Sequence, residues 1–231
     1  MRSTSEFDEI TVFGARGHSL LILRAMQEHW QGRVSIRALV DDVENGFIHP
    51  SLDIPVISSC ARLHDYADIP VMLTPASAAL RRDTALRLAE EGAILATAHC
   101  YGMPHVDPAV TYGPGCVVAP TARLGANIVV GAGAQVLCDL VAHDVVIGAY
   151  STLNATVSVL GHVIIGEGVN IAPNAVIGNG TRERPLMIGD GAVIGVGAVV
   201  VRDVESGAKM VGNPAMTVER WKKFSRLLDA H

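Results

Sequence analysis

The sequence predicts two folded parts: an α/β domain with a small parallel sheet, and then a left-handed parallel β-helix that ends in a C-terminal helix. Three observations support this fold class. Strand-like and helix-like segments alternate before residue 104, apolar residues recur every six positions after it, and an amphipathic segment ends the chain. We therefore divide the 231 residues into segments 1–103, 104–216 and 217–231.

The first segment alternates between two kinds of pattern. Apolar runs at 10–13, 34–40, 71–74 and 93–97 predict strands, and the segments 18–29 and 78–91 predict helices. Such alternation is typical of parallel strands joined by crossover helices. Residues 1–103 are therefore expected to form a Rossmann-like domain.

The second segment carries the strongest pattern in the chain. An apolar anchor, often followed by glycine or alanine, returns in near-constant register. The anchors are Val106, Tyr112, Val118, Leu124, Val130, Val136, Val141, Ile147, Leu153, Val159, Ile165, Ile171, Ile177, Ile188, Ile194, Val200 and Val211. This repeat predicts a triangular β-helix in which each hexapeptide forms one face and each anchor points inward. The alternative, an ordinary glycine-rich β domain, does not account for so long a register.

Two irregular steps and the chain end complete the architecture. The step from Val136 to Val141 is one residue short and hints at a bulge, a feature that often re-aims functional side chains. The long step from Ile177 to Ile188 must push residues 178–185 out as a loop. The final segment, 218–230, has the pattern of an amphipathic helix, which we expect to cap the open edge of the last coil.

Composition limits the possible functions. The net charge of −5 gives no sequence-wide case for nucleic-acid binding. No apolar run approaches the roughly 20 residues that span a bilayer, and the N-terminus lacks a signal-peptide pattern. The four cysteines include no CxxC pair, which argues against a disulfide framework or a structural zinc site. We expect a cytoplasmic protein without a nucleic-acid, membrane or metal partner.

A glycine-rich turn joins the first predicted strand to the first helix. Its sequence is Phe13-Gly14-Ala15-Arg16-Gly17-His18. Such a turn exposes backbone N–H groups at a helix N-terminus, where a diphosphate is favoured. Because the turn is not GxGxxG, we infer no dinucleotide cofactor. A tight turn with no binding role is the alternative.

Asp41 and Asp42 follow the second predicted strand. Acids at the carboxyl end of a parallel strand can accept hydrogen bonds from a ribose or a base. A solvated acid pair is the alternative.

Two further motifs accompany the hexapeptides: His143-Asp144 within them, and Val211-Gly212-Asn213-Pro214-Ala215 near the end of the chain. With the glycine-rich turn, the acid pair and the hexapeptides, in this order, they resemble the sugar O- and N-acetyltransferases of the hexapeptide superfamily, a group with sialic acid O-acetyltransferases and bacillosamine and perosamine N-acetyltransferases. The resemblance covers nearly the whole chain. It implies a homotrimer of bacterial surface glycan biosynthesis that binds acetyl-CoA between neighbouring β-helices. The N-terminal domain would bind a nucleotide-activated sugar through Gly14, Arg16, Gly17, His18, Asp41 and Asp42.

His143 is the candidate general base. It comes two positions after the inward anchor Val141, so it need not point into the prism. Acyl transfer to an amine or hydroxyl needs a group that removes a proton during attack on the thioester, and neutral histidine suits that task. In the family the acid that matches Asp144 raises the basicity of this histidine. A surface histidine without a role is the alternative.

The resemblance also assigns positions that contact acetyl-CoA. Thr152 stands where several relatives carry a histidine that touches the coenzyme, and its hydroxyl could replace that contact. The N–H of Gly161 matches a position suited to an oxyanion. Small residues would let the pantetheine arm lie flat at Pro173, Gly195, Val196 and Gly197. The basic residues Arg182, Arg184 and Arg202 either meet coenzyme phosphates or are solvated loop charges.

Three other interpretations remain open. His162 is a weaker base candidate, for which a structural role is favoured. A zinc carbonic anhydrase on the same β-helix would need three histidines, and only His143 and His162 lie well inside the coils. A non-catalytic sugar-nucleotide-binding or scaffold protein fits the same fold. The sequence does not identify the sugar, its nucleotide, the acylated atom or the size of the acyl group.

Overall fold

The computed structural model describes residues 1–99 and 105–229. The predicted boundary between residues 103 and 104 lies outside the described residues, as do the last two residues of the predicted C-terminal segment.

The N-terminal part is one mainly parallel sheet with helices. Its helices are α1 (His18–Trp30), α2 (Ser59–Asp65) and α3 (Ala78–Glu90). Its strands are β1 (Arg2–Thr4), β2 (Glu9–Phe13), β3 (Ser35–Val40), β4 (Phe47–His49), β5 (Ile54–Ile57), β6 (Val71–Leu73) and β7 (Ile94–Ala96). The sheet order is β1-β7-β6-β2-β3-β5-β4, and only β4 is antiparallel to its neighbour. The four predicted strands and two predicted helices are confirmed, whereas β1, β4, β5 and α2 were not predicted.

The C-terminal part is a β-helix whose strands pass through three sheets in turn and are parallel, except for the last strand, Met216–Thr217. Face A contains β8 (Thr111–Tyr112), β11 (Ile128–Val130), β14 (Val145–Ile147), β17 (Val163–Ile165) and β20 (Leu186–Ile188). Face B contains β9 (Val117–Val118), β12 (Gln135–Val136), β15 (Thr152–Leu153), β18 (Asn170–Ile171), β21 (Val193–Ile194), β23 (Lys209–Val211) and β24 (Met216–Thr217). Face C contains β10 (Arg123–Leu124), β13 (Leu140–Val141), β16 (Ser158–Val159), β19 (Val176–Ile177) and β22 (Val199–Val200).

The predicted anchors form the core of the prism. Every anchor from Val118 to Val200 is at most 2% exposed. Anchors also pair with anchors in neighbouring coils, as Val141 does with both Leu124 and Val159. The hexapeptide prediction is therefore confirmed, while the hand of the coil stays a prediction.

The structure corrects two details of the repeat. The residue that pairs with Ile194 is Met210 and not the predicted anchor Val211. The register shifts because Val204 bridges to Ile188 only four residues after Val200. The predicted bulge before Val141 is also absent, since β13 keeps regular register with β10 and β16. The short step is accommodated in the turn between faces B and C, which has three residues here (137–139) and four in the preceding coil (119–122).

Arg81 fixes the N-terminal part on the β-helix. Its side chain is fully buried and donates to the carbonyl oxygens of Gly133 at 3.0 Å, Tyr150 at 2.5 Å and Pro75 at 2.7 Å. Burial lowers the pKa of Arg81 to about 10, so the group stays charged at neutral pH. A buried cation thus bridges the loop before α3 and the corner between faces A and B.

Helix α4 (Val218–Asp229) confirms the predicted C-terminal helix over the described residues. It contacts β23 and β24 at the end of face B, which agrees with a capping role. None of the helices in the described residues combines the length and hydropathy needed to cross a bilayer.

Candidate active site

The carboxyl ends of β2 and β3 open into a cavity of about 710 Å³. The structure brings all six predicted substrate-binding residues to its lining: Gly14, Arg16, Gly17, His18, Asp41 and Asp42. Arg87 of α3 also lines the cavity and was not predicted. No sequence signal separates Arg87 from Arg81 and Arg82, which lie on the same helix.

The glycine-rich turn has the shape that its sequence requires. Gly14 has a φ of +124°, and a Cβ there would lie 2.1 Å from Ser19 Oγ. Gly17, the N-cap residue of α1, offers no side-chain cap, and the first turn of α1 has no acidic residue. The positive end of the helix dipole therefore faces the cavity, and no acidic residue of the helix's own first turn offsets it. His18 Nε2 lies 2.9 Å from Oε1 of Gln135, which links this turn to face B.

Asp41 shapes the rim of the cavity. Its carboxylate accepts hydrogen bonds from the backbone N–H groups of Val43 and Glu44 and from Arg16 Nε at 3.0 Å. Burial alone raises the pKa of Asp41, but the hydrogen bonds from Glu44, Val43 and Arg16 outweigh it and lower the pKa overall. Asp41 is therefore ionised and holds Arg16 in place.

Asp42 holds Arg87 at the cavity in the same way that Asp41 holds Arg16. It accepts two hydrogen bonds of 2.7 Å from Ser59 and lies 3.3 Å from Arg87. Burial raises the pKa of Asp42, and the bonds from Ser59 and Arg87 lower it by more. The acid pair thus presents two arginines, Arg16 and Arg87, to a single cavity.

A second polar cluster lies at the corner where the chain passes from face C to face A, called here the C–A corner. Asn127, Asp144 and His162 each stand three residues after a face C anchor, in three successive coils. All three adopt left-handed φ angles, of 57°, 54° and 56°. Because the backbone of Asp144 turns the corner in this conformation, its carboxylate can contact the side chain of His143, the residue before it.

Asp144 is the centre of this cluster. Its Oδ2 lies 2.7 Å from His143 Nδ1, and its Oδ1 accepts from Asn127 Nδ2 at 2.9 Å. The hydrogen bond from His143, followed by that from Asn127, lowers the pKa of Asp144. An ionised Asp144 favours the tautomer of His143 that carries its proton on Nδ1, which leaves Nε2 free to accept a proton.

His162 adds a second imidazole to the cluster. Its Nδ1 lies 3.8 Å from Asp144 Oδ2, and its ring packs edge to face on His143 with 5.2 Å between centroids. His143, Asp144 and His162 offer donor atoms within 4.8 Å of one another. This set of two imidazoles and one carboxylate differs from the three-histidine site of a zinc carbonic anhydrase.

Gly161 lies beside His143 in the next coil. A Cβ at this position would come within 2.7 Å of His143 Nε2, so only glycine leaves the ring its space. The N–H of Gly161, which the sequence suggested for an oxyanion, donates to Asn179 Oδ1 at 2.9 Å. An oxyanion would have to displace this amide side chain.

The structure corrects the prediction for Thr152. Its side chain is 4% exposed beneath α3, and its hydroxyl accepts a hydrogen bond of 2.8 Å from Arg81. The hydroxyl therefore supports the packing of α3 on face B and is not presented to a coenzyme.

The other predicted coenzyme positions lie at a different corner from His143. Pro173 follows the face B anchor Ile171, and Gly195, Val196 and Gly197 follow the face B anchor Ile194. These residues form the corner between faces B and C. The structure does not bring them together with His143 in one chain, because the width of face C lies between.

Comparisons with known proteins agree with this architecture. Residues 141–179 match the family described as bacterial transferase hexapeptide (six repeats). The chain is 38% identical over 109 residues to GDP-perosamine N-acetyltransferase of Escherichia coli O157:H7. The aligned residues make up 47% of this chain and 49% of that protein. The chain thus spans about half the length of the curated relatives it matches.

Solved structures extend the likeness to both parts of the chain. WeeI from Acinetobacter baumannii AYE aligns with a TM-score of 0.74 and 26% identity, over 91% of this chain and all of that one. The acetyltransferase domain of PglB from Neisseria gonorrhoeae FA1090, in complex with acetyl coenzyme A, shares the fold with a TM-score of 0.76 and 24% identity, over 92% of this chain and 100% of that one. The resemblance to hexapeptide-repeat sugar acetyltransferases is confirmed.

Proposed function

We propose that this chain is an acyltransferase that moves an acetyl group from acetyl-CoA to an amino or hydroxyl group of a nucleotide-linked sugar, in bacterial surface glycan biosynthesis. The observation that carries the proposal is the 2.7 Å contact between His143 Nδ1 and Asp144 Oδ2 at an exposed corner of the prism. The similarity to GDP-perosamine N-acetyltransferase supports the substrate class.

His143 acts as the general base. Its Nε2 accepts a proton from the attacking amine or hydroxyl while that atom bonds to the thioester carbonyl carbon. Asp144 stabilises the imidazolium that forms. The tetrahedral intermediate then collapses and the C–S bond breaks. The departing coenzyme A thiolate takes up the proton held by His143, which returns the imidazole to its neutral form. No metal takes part in this mechanism.

The cavity at β2 and β3 binds the nucleotide of the sugar substrate, as a Rossmann-like domain would. Its diphosphate meets the N-terminus of α1 and the Arg16 guanidinium, both of which favour anions. Asp41 and Asp42 orient the ribose or the base and take no part in the chemistry.

A homotrimer accounts for the separation of the predicted site residues. Within one chain, face C separates His143 from Pro173 and Gly195, and a neighbouring chain could bring the two corners together. An apolar ladder runs along the outside of face A, where Val129, Val146 and Met187 are at least 40% exposed. A neighbouring β-helix that covers this ladder would remove apolar surface from water.

The test measures release of coenzyme A from acetyl-CoA in the presence of amino sugars linked to UDP, GDP, dTDP or CMP. We expect turnover with at least one of them. His143→Ala should lower kcat by about 10²- to 10⁴-fold with both substrates still bound, and His162→Ala should have a milder effect. If sugar nucleotides bind but none is turned over, a non-catalytic binding protein is the better description. If His143→Ala keeps more than about a third of kcat, the base assignment is wrong.

A further inference from the structure

A second cavity, of about 660 Å³, lies farther along the C–A corner. It is bounded by the predicted loop 178–185 on one side and by residues 201–203 on the other. Arg184 and Arg202 both line it. The substrate cavity at β2 and β3 shares no lining residue with it.

The register of face C connects this cavity to His143. The anchors Val141, Val159, Ile177 and Val200 pair in sequence along the prism. The residues two positions after these anchors are His143, Gly161, Asn179 and Arg202, which therefore stack in one column. With neighbouring strands about 4.8 Å apart, Arg202 lies roughly 14 Å from His143 along the prism axis.

Contacts along the column confirm the stacking. Gly161 packs against the ring of His143, and its N–H donates to Asn179 Oδ1. Backbone hydrogen bonds near both ends of the loop also hold it to the C–A corner beside His143. Gly180 N–H donates to Gly161 O at 3.1 Å, and Leu186 N–H donates to His162 O at 3.0 Å. The position of the loop is therefore tied to the backbone beside His143.

The side chains of the two arginines in this cavity, Arg184 and Arg202, have no carboxylate partner within ion-pair distance among the described residues. Arg16, Arg82 and Arg87, by contrast, each form an ion pair. The backbone of Arg184 is fixed by Thr181, whose Oγ1 and N–H both bond to it, at 3.0 and 2.9 Å. Asp203 also lines the cavity, but its Oδ1 accepts from the Met187 N–H at 3.0 Å.

We propose that Arg184 and Arg202 form a phosphate-binding site, and that it holds the phosphate groups of coenzyme A while the thioester lies at His143. Guanidinium groups bind phosphate oxygens through paired, charge-assisted hydrogen bonds. The flexible pantetheine arm would run along the column, past Gly161 and Asn179. This inference rests on the proposed function, and it assigns the coenzyme phosphates to two residues of this chain.

Calorimetric titration of coenzyme A into the purified protein tests the assignment. Arg184→Gln and Arg202→Gln should each weaken binding by roughly tenfold, since a lost hydrogen bond to a charged group costs at least that much. Arg182→Gln is the matched control, because it removes the same charge from the same loop but does not line the cavity. Acetyl-pantetheine, which lacks the phosphates of the nucleotide end, should show the same KM with all four proteins.

Each other outcome has a distinct meaning. Equal weakening by Arg182→Gln would show a diffuse charge effect and overturn the site. Weaker binding of GDP or UDP, with coenzyme A unaffected, would assign the arginines to the other substrate and also overturn it. Unchanged coenzyme A affinity in both variants would overturn the phosphate-binding site and leave the proposed function intact. If the unaltered protein bound no coenzyme A and turned over no sugar nucleotide, the proposed function would fail with it.

Discussion

A Cβ atom on Gly161 would lie 2.5 Å from Cε1 of His143 in the preceding coil. The imidazole thus occupies the space that a side chain at residue 161 would need. Because no left-handed φ is required at Gly161, contact with the ring is the main effect of adding a methyl group there.

Gly161→Ala should therefore displace the His143 ring and lower kcat. A misplacement of about 1 Å can cost on the order of 10²-fold. The unfolding temperature should change little, since the ring is half-exposed and can move outward. In a His143→Ala background the same substitution should have almost no further effect on kcat. An additive loss in the double variant would show that Gly161 acts by another route.

Asp144→Asn should lower kcat, though by less than His143→Ala does. The carboxylate of Asp144, whose pKa is lowered first by the hydrogen bond from His143 and then by that from Asn127, is ionised in the neutral range and can stabilise the imidazolium that forms during proton transfer. Steady-state kinetics at saturating concentrations of both substrates give the comparison. Asn127→Ala should lower kcat less than Asp144→Asn, because His143 keeps its partner. An unchanged kcat in Asp144→Asn would show that Asp144 does not assist the base.

Asp42→Ala should raise the KM for the sugar nucleotide by roughly tenfold and leave the KM for acetyl-CoA nearly unchanged. The substitution removes an acceptor in the cavity and also releases Arg87 and Ser59. Glu28→Ala, which removes an exposed acid of α1 outside the cavity, should alter neither KM. Equal losses for both substrates would contradict the assignment of this cavity.

Arg81→Gln should destabilise the protein strongly. It would leave the buried carbonyls of Gly133 and Tyr150 without donors, at about 1–3 kcal/mol each. Arg82→Gln, the neighbouring control, removes an exposed ion pair with Glu167 and a cation–π contact with the Tyr150 ring, each worth at most about 1 kcal/mol. Urea unfolding of the two variants provides the comparison. Similar stability in both would mean that Arg81 does not hold the two parts together.

Val146→Asp should prevent assembly of the proposed homotrimer, because it places a charge in the centre of the apolar ladder on face A. Light scattering at micromolar concentration should give the mass of a trimer for the unaltered protein and a smaller mass for the variant. Leu86→Asp, at an exposed position of α3 away from the ladder, should keep the trimer. A monomer mass for the unaltered protein would exclude a site shared between chains.

Much of this architecture could be predicted from the sequence because its pattern is local. A six-residue period determines which side chains face the prism, so the anchors from Val118 to Val200 were assigned correctly without any tertiary contact. The same holds for the glycine-rich turn, whose strand and helix neighbours place it at the cavity. The period failed only between Val200 and Val211, where a shorter corner shifts the register.

The sequence by itself determined the repeat and the position of the glycine-rich turn, and it marked His143 and Asp144 as the candidates for the base and its partner. Only the tertiary structure decided what surrounds them. Thr152 is covered by α3, and Arg81 and Arg87 of that helix enter different environments. Asp144 acquires Asn127 and His162 from coils 17 and 18 residues away. Such contacts depend on how distant segments stack and pack, and local periodicity constrains only the direction in which each residue points.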